Sequence, residues 1–319
     1  MQPKALNTEL LAERYVAMRS RIEAIVVGQT HAIQLAFVAL LCCGHVLFQG
    51  VPGVAKTLLV RALAGALAMR FGRVQFTPDL MPSDIIGSPV YHAGMSDFRF
   101  RPGPIFTDLL LGDEVNRAPA KTQAAMLEAM QERAVTVDGQ RHELGPLFTV
   151  FATQNPIEQE GTYPLPEAEL DRFLFRIDMN YPSAADELRM LSLHHEVDPE
   201  PQHVQAVFAI EELEAARQTV REVRVRDEVL EYALSLLRAT RDDGNISVGG
   251  SPRCGLWFVR AAKAVAAIAG RDYVTPEDVQ GVCCPVLRHR IVLAPAAEVE
   301  GMTSDEALSQ VLKRVPIPH

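Results

Sequence analysis

Lys56 and Thr57 stand directly behind a turn containing Gly50, Pro52 and Gly53. An apolar stretch, His45 to Phe48, comes before that turn, and a helical pattern, Leu58 to Met69, follows it. Strand, glycine-rich turn, lysine–hydroxyl pair and helix is the layout of a phosphate-binding loop. The anion dictates the residue types. Successive backbone N–H groups must turn inward around phosphate oxygens, which favours glycine at positions 50 and 53. The helix N-terminus adds its positive end to the same group. Lys56 is placed to reach the β- and γ-phosphates as a point charge, and the Thr57 hydroxyl to ligate Mg²⁺. In GVPGVAKT the glycine common just before the lysine is replaced by Ala55. A methyl group there tolerates helical dihedrals, so the loop is expected to survive. The bland alternative is a helix-initiating turn with a chance lysine. The strand in front and the helix behind weigh against it.

Further along lie residues that complete such chemistry. Thr107 to Asp113, TDLLLGD, is as apolar as a strand buried on both faces, and it ends in Asp113 and Glu114. An acidic pair at the carboxyl end of such a strand sits where open α/β sheets bind ligands. Asp113 is suited to hold Mg²⁺, often through water, and Glu114 to polarise a water attacking the γ-phosphate. Phe148 to Thr153 is another buried strand ending in Gln154-Asn155-Pro156. An amide there can orient that water, although an Asn-Pro turn is the ordinary reading of the dipeptide alone. Leu170 to Asp178 is a further strand with Asp171 and Arg172 at its entrance, and a surface charge is the usual fate of such an arginine. Ser251-Pro252-Arg253 opens a helix, with Pro252 in its first turn.

The elements needed to position these groups are legible from pattern. Residues 8 to 26 show helical spacing of Leu10, Leu11, Tyr15, Met18 and Ile22, and Gly28 most simply ends that helix. Ala24 to Ala55 carries no charged side chain. A buried helix (Thr30 to Leu41) followed by a buried strand fits it better than a membrane span, because glycines, glutamines, histidines and a proline interrupt the run. Arg73 to Thr77 reads as a strand, and Pro78 to Pro104 as a loop holding a small hairpin. A helix from Pro119 to Glu132 precedes a hairpin turning at Asp138-Gly139. Pro182 to Gln205 reads as a helix (Ala184 to His195) plus linker. From Val220 onward the pattern is all-helical, with runs Asp227 to Thr240, Pro252 to Ala269 and Thr275 to Arg290.

Composition sets the class. The 319 residues are 48% hydrophobic and 22% charged, ordinary for a soluble globular protein. The net charge of −9 argues against a dedicated nucleic-acid binder. The N-terminal stretch has no apolar signal-peptide region. The five cysteines fall as Cys42-Cys43, Cys254 and Cys283-Cys284, which matches neither metal-ligand spacing nor a secreted disulfide framework. Buried reduced thiols in a cytoplasmic protein are expected.

Taken in order, these signals resemble those of AAA+ ATPases, and more narrowly of the MoxR family. The segments that carry the likeness are GVPGVAKT, FTPDLMPSDIIG, RPGPIF before TDLLLGDEVNRAPAKTQAAMLEAMQE, and FATQNPIEQEGTYPLPEAELDRF. GGSPRCGLWFVRAAKA and DYVTPEDVQGVCCPVLRHRIVL extend it, so the match spans roughly Glu9 to Val315. The resemblance implies an α/β fold: a P-loop AAA+ core with a parallel sheet and flanking helices over residues 1–182, a linker over 183–205, and a smaller all-helical lid over 206–319. It implies ATP with Mg²⁺, bound by a Walker A segment from Gly50 through Pro52, Gly53, Val54, Ala55, Lys56 and Thr57 to Leu58. Thr57 and Asp113 would hold the metal, and Asp113 and Glu114 would be the Walker B pair. It places adenine against Val27 and Gly28. It makes Asn155 sensor 1, Arg172 an arginine finger acting on a neighbouring subunit, and Arg253 sensor 2. Ala55 is usual in this family.

The implied activity is ATP hydrolysis coupled to remodelling or maturation of a protein client, often one with a von Willebrand factor A domain, by a homo-oligomeric, hexameric ring. The segment Pro82 to Pro104 and the hairpin Ala134 to Leu144 are expected on one face of that ring, against the client. An ATPase subunit of a metal chelatase is one alternative. A nucleic-acid motor is another, but Arg133 to Glu143 balances two arginines against Asp138 and Glu143 and so offers no positive surplus for phosphates. A scaffold without turnover is disfavoured because Glu114, Asn155 and Arg172 are all present.

Overall fold

The computed structural model describes residues 6–94, 96–155, 162–195 and 204–318. Pro156 and the 196–203 stretch of the expected linker lie outside the described residues.

Helix α1 (Thr8–Glu23) begins where the Asn7 side chain accepts the Leu10 N–H at 2.8 Å. It buries Leu11, Tyr15, Met18 and Ile22, a stripe three to four residues apart. The chain then turns rather than continuing helical to residue 26, and Gly28, with φ +76°, belongs to this turn and caps no helix. Helix α2 (Thr30–Leu41) is buried on nearly every side, which is why the sequence there tolerates no charge. It feeds β1 (His45–Gln49), the phosphate loop and α3 (Lys56–Ala66).

Strand β2 (Phe71–Gln75) starts and ends two residues before the stretch read from sequence. The Asp108 carboxylate takes both the Arg70 N–H (2.9 Å) and its guanidinium, and the Thr107 hydroxyl donates to Arg70 O. These bonds fix the entrance of both strands, so β5 (Leu109–Asp113) also begins two residues later than its apolar run. Between them the expected loop contains a short helix, α4 (Pro82–Ile86), and a hairpin of β3 (Gly87–His92) and β4 (Asp97–Pro102). Helix α5 (Ala120–Glu132) follows, with Pro119 as its cap rather than inside it. A second hairpin, β6 (Ala134–Val137) and β7 (Gln140–Glu143), turns at Asp138-Gly139 as read. Strand β8 (Thr149–Gln154), the turn α6 (Glu167–Leu170), β9 (Phe173–Asp178) and α7 (Ala184–His194) complete the first part of the chain.

The five main strands form one parallel sheet in the order β2-β5-β8-β1-β9. All carboxyl ends therefore share one edge and all amino ends the other. Phe76, Leu110, Met126 and Phe148 fill one face of the sheet, while Phe37, Leu63 and Phe151 belong to the core on the other.

The remainder is helical, apart from a ribbon of β10 (Ile246–Val248) and β11 (Val292–Leu293). Helices α8 (Ile210–Glu222), α9 (Asp227–Arg241), α10 (Pro252–Ile268), α11 (Pro276–Leu287), α12 (Pro295–Val299) and α13 (Ser304–Arg314) lie in this part. Their apolar faces extend the core of α1 and α2: the Phe37 and Phe208 rings stand 5.5 Å apart, and Phe258 and Leu308 belong to the same cluster. Among the described residues no helix is long and apolar enough to cross a membrane. Cys254 and Cys283 are buried, whereas Cys42, Cys43 and Cys284 are only half-buried. Two of these, Cys42 and Cys43, lie where α2 ends and the chain turns out through Cys43 at φ +54°.

Candidate nucleotide-binding site

The loop between β1 and α3 is shaped for close backbone approach. A Cβ on Gly50 would stand 2.3 Å from the Met179 carbonyl oxygen, so only glycine fits where the chain leaving β9 passes. Gly53 adopts φ +85° in open space. Ala55, the cap of α3, lies at φ +64°, ψ +26°. The expected right-handed helical dihedrals are thus not adopted. The loop keeps the left-handed turn a glycine would make, and the methyl group costs about 1 kcal/mol there. Lys56 donates from Nζ to the Gly50 carbonyl at 2.6 Å. Burial lowers its pKa, and Asp113 and Glu114 pull it back up.

The acidic pair ends the adjoining part of the same edge. Asp113 closes β5, and Glu114 follows in a left-handed conformation (φ +56°) that swings its side chain away from the strand direction. Thr153 links the two: its hydroxyl donates to Asp113 Oδ1 at 2.6 Å and accepts the Glu114 N–H at 2.9 Å. Arg73 donates to Asp113 Oδ2 at 2.7 Å, Gln75 to Glu114 Oε2 at 2.8 Å, and Arg117 pairs with Glu114 at 3.1 Å. Reasoning from sequence missed Arg73, Gln75 and Thr153. They come from neighbouring strands, and Gln75 sits opposite Asp113 only because of the β2–β5 register. Asn155 is buried one residue past β8, whose Gln154 lies beside Gln49 at the end of β1. Lys56, Thr57, Asp113, Glu114 and Asn155 thus share the carboxyl edge.

This donor set suits Mg²⁺, a hard cation usually held by one hydroxyl or carboxylate and phosphate oxygens. Thr57 and Asp113 would hold it, with Arg73 giving up its bond to Asp113.

Beside the loop is a cavity of about 420 Å³ lined by Val27, Val54, Ala55 and Leu58. Its far wall, Tyr181, Met190 and Leu191, comes from the segment after β9 and from α7. Its size and apolar walls suit a nucleotide base. Gly28 does not line it. A Cβ there would meet Pro182 at 2.9 Å, so this glycine lets the turn pack against the start of α7.

Arg172 and Arg253 lie elsewhere. Phe173 pairs with His45 and Asp178 with Gln49, so Arg172 precedes the amino end of β9 while the phosphate loop follows the carboxyl end of β1. Five residues of β1 separate them, roughly 16 Å at ~3.3 Å per residue. Arg172 pairs with Glu169 at 2.9 Å and donates to Leu127 O at 2.8 Å. Arg253 pairs with Asp171 at 3.6 Å, and the same carboxylate holds the buried Arg290 at 2.6 Å.

Residues 45–175 match the model of the ATPase family associated with various cellular activities, and residues 238–311 match an AAA lid domain. The chain is 44% identical to the uncharacterized protein YeaC of Bacillus subtilis, covering 93% of this chain and 92% of that one. It is 40% identical to the chaperone MoxR1 of Mycobacterium tuberculosis over 97% of this chain and 84% of that one. A crystal structure of a Cytophaga hutchinsonii protein assigned as an ATPase superposes with a TM-score of 0.90 at 37% identity, covering 98% of this chain and 97% of that one. Phosphate loop, acidic pair, sheet order and these likenesses agree, and the chain belongs to the MoxR family of AAA+ ATPases.

Proposed function

We propose that this protein hydrolyses ATP with Mg²⁺ as a ring-forming oligomer, hexameric by family likeness, and couples turnover to remodelling of a protein client. A relative named as a chaperone supports the coupling. One observation carries the shared-site reading: Arg172 and Arg253 stand together at the amino edge, a strand length from the Lys56 of their own chain.

Within one subunit, Lys56 and the backbone of the loop bind and orient the phosphates, while Val27, Val54 and Leu58 hold the base. Thr57 and Asp113 would hold Mg²⁺, which would supply charge neutralisation at the phosphates. Glu114 accepts the proton of the attacking water, which Asn155 orients. Gln75 and Arg117 hold the Glu114 carboxylate until nucleotide and neighbour are in place. Arg172 and Arg253 then leave Glu169 and Asp171 and reach the γ-phosphate of the adjoining subunit. The aromatic pair Tyr91–Phe98, 54% and 66% exposed with ring centroids 5.3 Å apart, is the client contact we favour. The Phe100 ring stacks on His142 at 4.0 Å and joins this hairpin to the second one. A client with a von Willebrand factor A domain and a cytoplasmic location belong to the same reading.

Mixing two inactive variants tests the shared site. Arg172→Ala should lose ~10³–10⁵ in turnover, the range for an arginine supplied in trans. Arg172→Ala mixed with Glu114→Gln should regain activity, because one pairing restores a complete site. No recovery in demonstrably mixed rings, or full activity of Arg172→Ala alone, would sink the assignment.

A further inference from the structure

A cavity of about 640 Å³ lies where α2 ends, against α8 and α10. Cys43 lines it, two residues before β1 begins, so it belongs to the amino edge of the sheet and stands apart from the phosphate loop. Among the described residues, its wall carries four cations, Arg217, Arg221, Arg260 and Lys263, and no carboxylate. That concentration stands out in a chain whose net charge is −9. A neighbouring recess shares Arg217, Arg221 and Cys43, adds Arg133, and contains one acid, Glu214.

Part of this charge has a structural task. Arg217 donates to Leu40 O (2.9 Å) in the last turn of α2 and to Pro146 O (3.0 Å) before β8, and Arg133 donates to Cys43 O (3.3 Å) just past α2. Lys263 donates to Arg221 O at 2.9 Å. These bonds leave much unexplained. Arg217 is only 6% exposed, yet among the described residues its Nη2 has no acceptor. Burial pushes its pKa down, the mark of a desolvated cation short of counter-charge. Among the described residues, Arg221 and Arg260 have no ion pair, and Arg260 only covers the Trp257 ring at 5.3 Å. Beside the cations the wall is apolar, and Leu230 and Leu256 are 40% and 61% exposed.

We propose that this cavity binds an amphiphilic organic anion, with a carboxylate or phosphate head among Arg217, Arg221, Arg260 and Lys263 and an apolar body against Leu230 and Leu256. The volume matches small-molecule pockets, which bury an apolar body and fix it by a few polar groups. A bound anion would offset the uncompensated charge of Arg217. The site does not depend on the nucleotide reading, since none of its residues touches the phosphate loop or its cavity.

Calorimetric titration of the full chain with octanoate, octyl phosphate and 1-octanol tests this. Lys56→Ala is titrated in parallel, so that the phosphate loop cannot supply the signal. Both anions should bind one to one in either background, and 1-octanol at least about tenfold more weakly. Arg260→Gln combined with Lys263→Gln should weaken both anions by about tenfold, the scale of one charge-assisted hydrogen bond. Arg221→Gln provides an independent check if the double variant fails to fold. Saturating octanoate should also slow thiol labelling of Cys43 several-fold. Absence of binding by both anions, equal binding of 1-octanol, or undiminished affinity in folded charge variants would overturn the site.

Discussion

At the carboxyl edge of the sheet, Lys56, Asp113, Glu114 and Asn155 converge from adjoining strands and their loops, and neighbouring side chains already hold both carboxylates in place. At the amino edge, Arg172 and Arg253 also sit together, but each is matched to a carboxylate of its own chain, Glu169 or Asp171. The first edge gathers the phosphate loop and the acidic pair. The second holds two cationic groups a strand length from the phosphate loop of the same chain. Parallel strands place the loops that follow them on one edge, and under the shared-site proposal Arg172 and Arg253 act on a neighbouring subunit. The two edges therefore differ in what holds their charged groups: the carboxyl edge keeps Asp113 and Glu114 beside the phosphate loop, and the amino edge keeps Arg172 and Arg253 on carboxylates of the same chain.

The largest effect should separate binding from chemistry at the carboxyl edge. Lys56→Ala should weaken nucleotide binding by about 100-fold, because a charge-assisted bond to phosphate is lost. Glu114→Gln should keep that affinity while turnover falls by ~10²–10⁴, the usual loss for a general base. Fluorescent nucleotide titration and phosphate release measure the two. Equal loss of binding in both variants would break the division of roles.

A second test uses His45, at the amino end of β1. Its Nδ1 accepts the Val150 N–H at 2.9 Å, so the proton sits on Nε2, which faces Met130 O at 3.2 Å. Burial pushes its pKa from 6.5 down to about 4. Between those values the unfolded chain binds more protons, so stability is intact above pH 6.5 and falls as pH drops towards 4. The loss should be roughly 3 kcal/mol. The buried His289 acts in the same direction. Urea unfolding across this range should show a shallower slope in His45→Gln than in the native protein.

The next test sharpens the independence of the edges. Asp171→Asn leaves the 3% exposed Arg290 without its carboxylate, although carbonyl oxygens of Phe173, Leu174 and Val286 still accept its N–H groups. A loss of about 2 kcal/mol in unfolding free energy is expected, below that of a fully broken buried pair. Nucleotide affinity of the isolated subunit should stay within about twofold. A large change in affinity would show that the edges communicate within one chain.

The smallest effect concerns Ala55. Glycine there removes the left-handed penalty but makes the unfolded chain more flexible, so Ala55→Gly should stabilise by about 0.5 kcal/mol. Thermal unfolding of the nucleotide-free protein reads it.

The fold class came with the family resemblance, while the sequence by itself determined the helix from Thr30 to Leu41, the hairpin at Asp138-Gly139, and the loop, lysine and acidic pair of the carboxyl edge. Each follows from local pattern, because apolar periodicity, turn chemistry and glycine position are written in consecutive residues. Tertiary structure alone decided what touches those groups. Gln75 and Arg73 reach Glu114 and Asp113 through strand register, and Thr153 through a strand forty residues away. Tyr181 and Met190 close the apolar cavity beside the phosphate loop from a segment that shows no such task in its own pattern. Ala55 keeps the left-handed turn of the phosphate loop although its own side chain disfavours that conformation. The separation of Arg172 and Arg253 from Lys56 was equally hidden. Sequence order places residues along a chain, and only the pairing of β9 with β1 determines which edge of the sheet each one reaches.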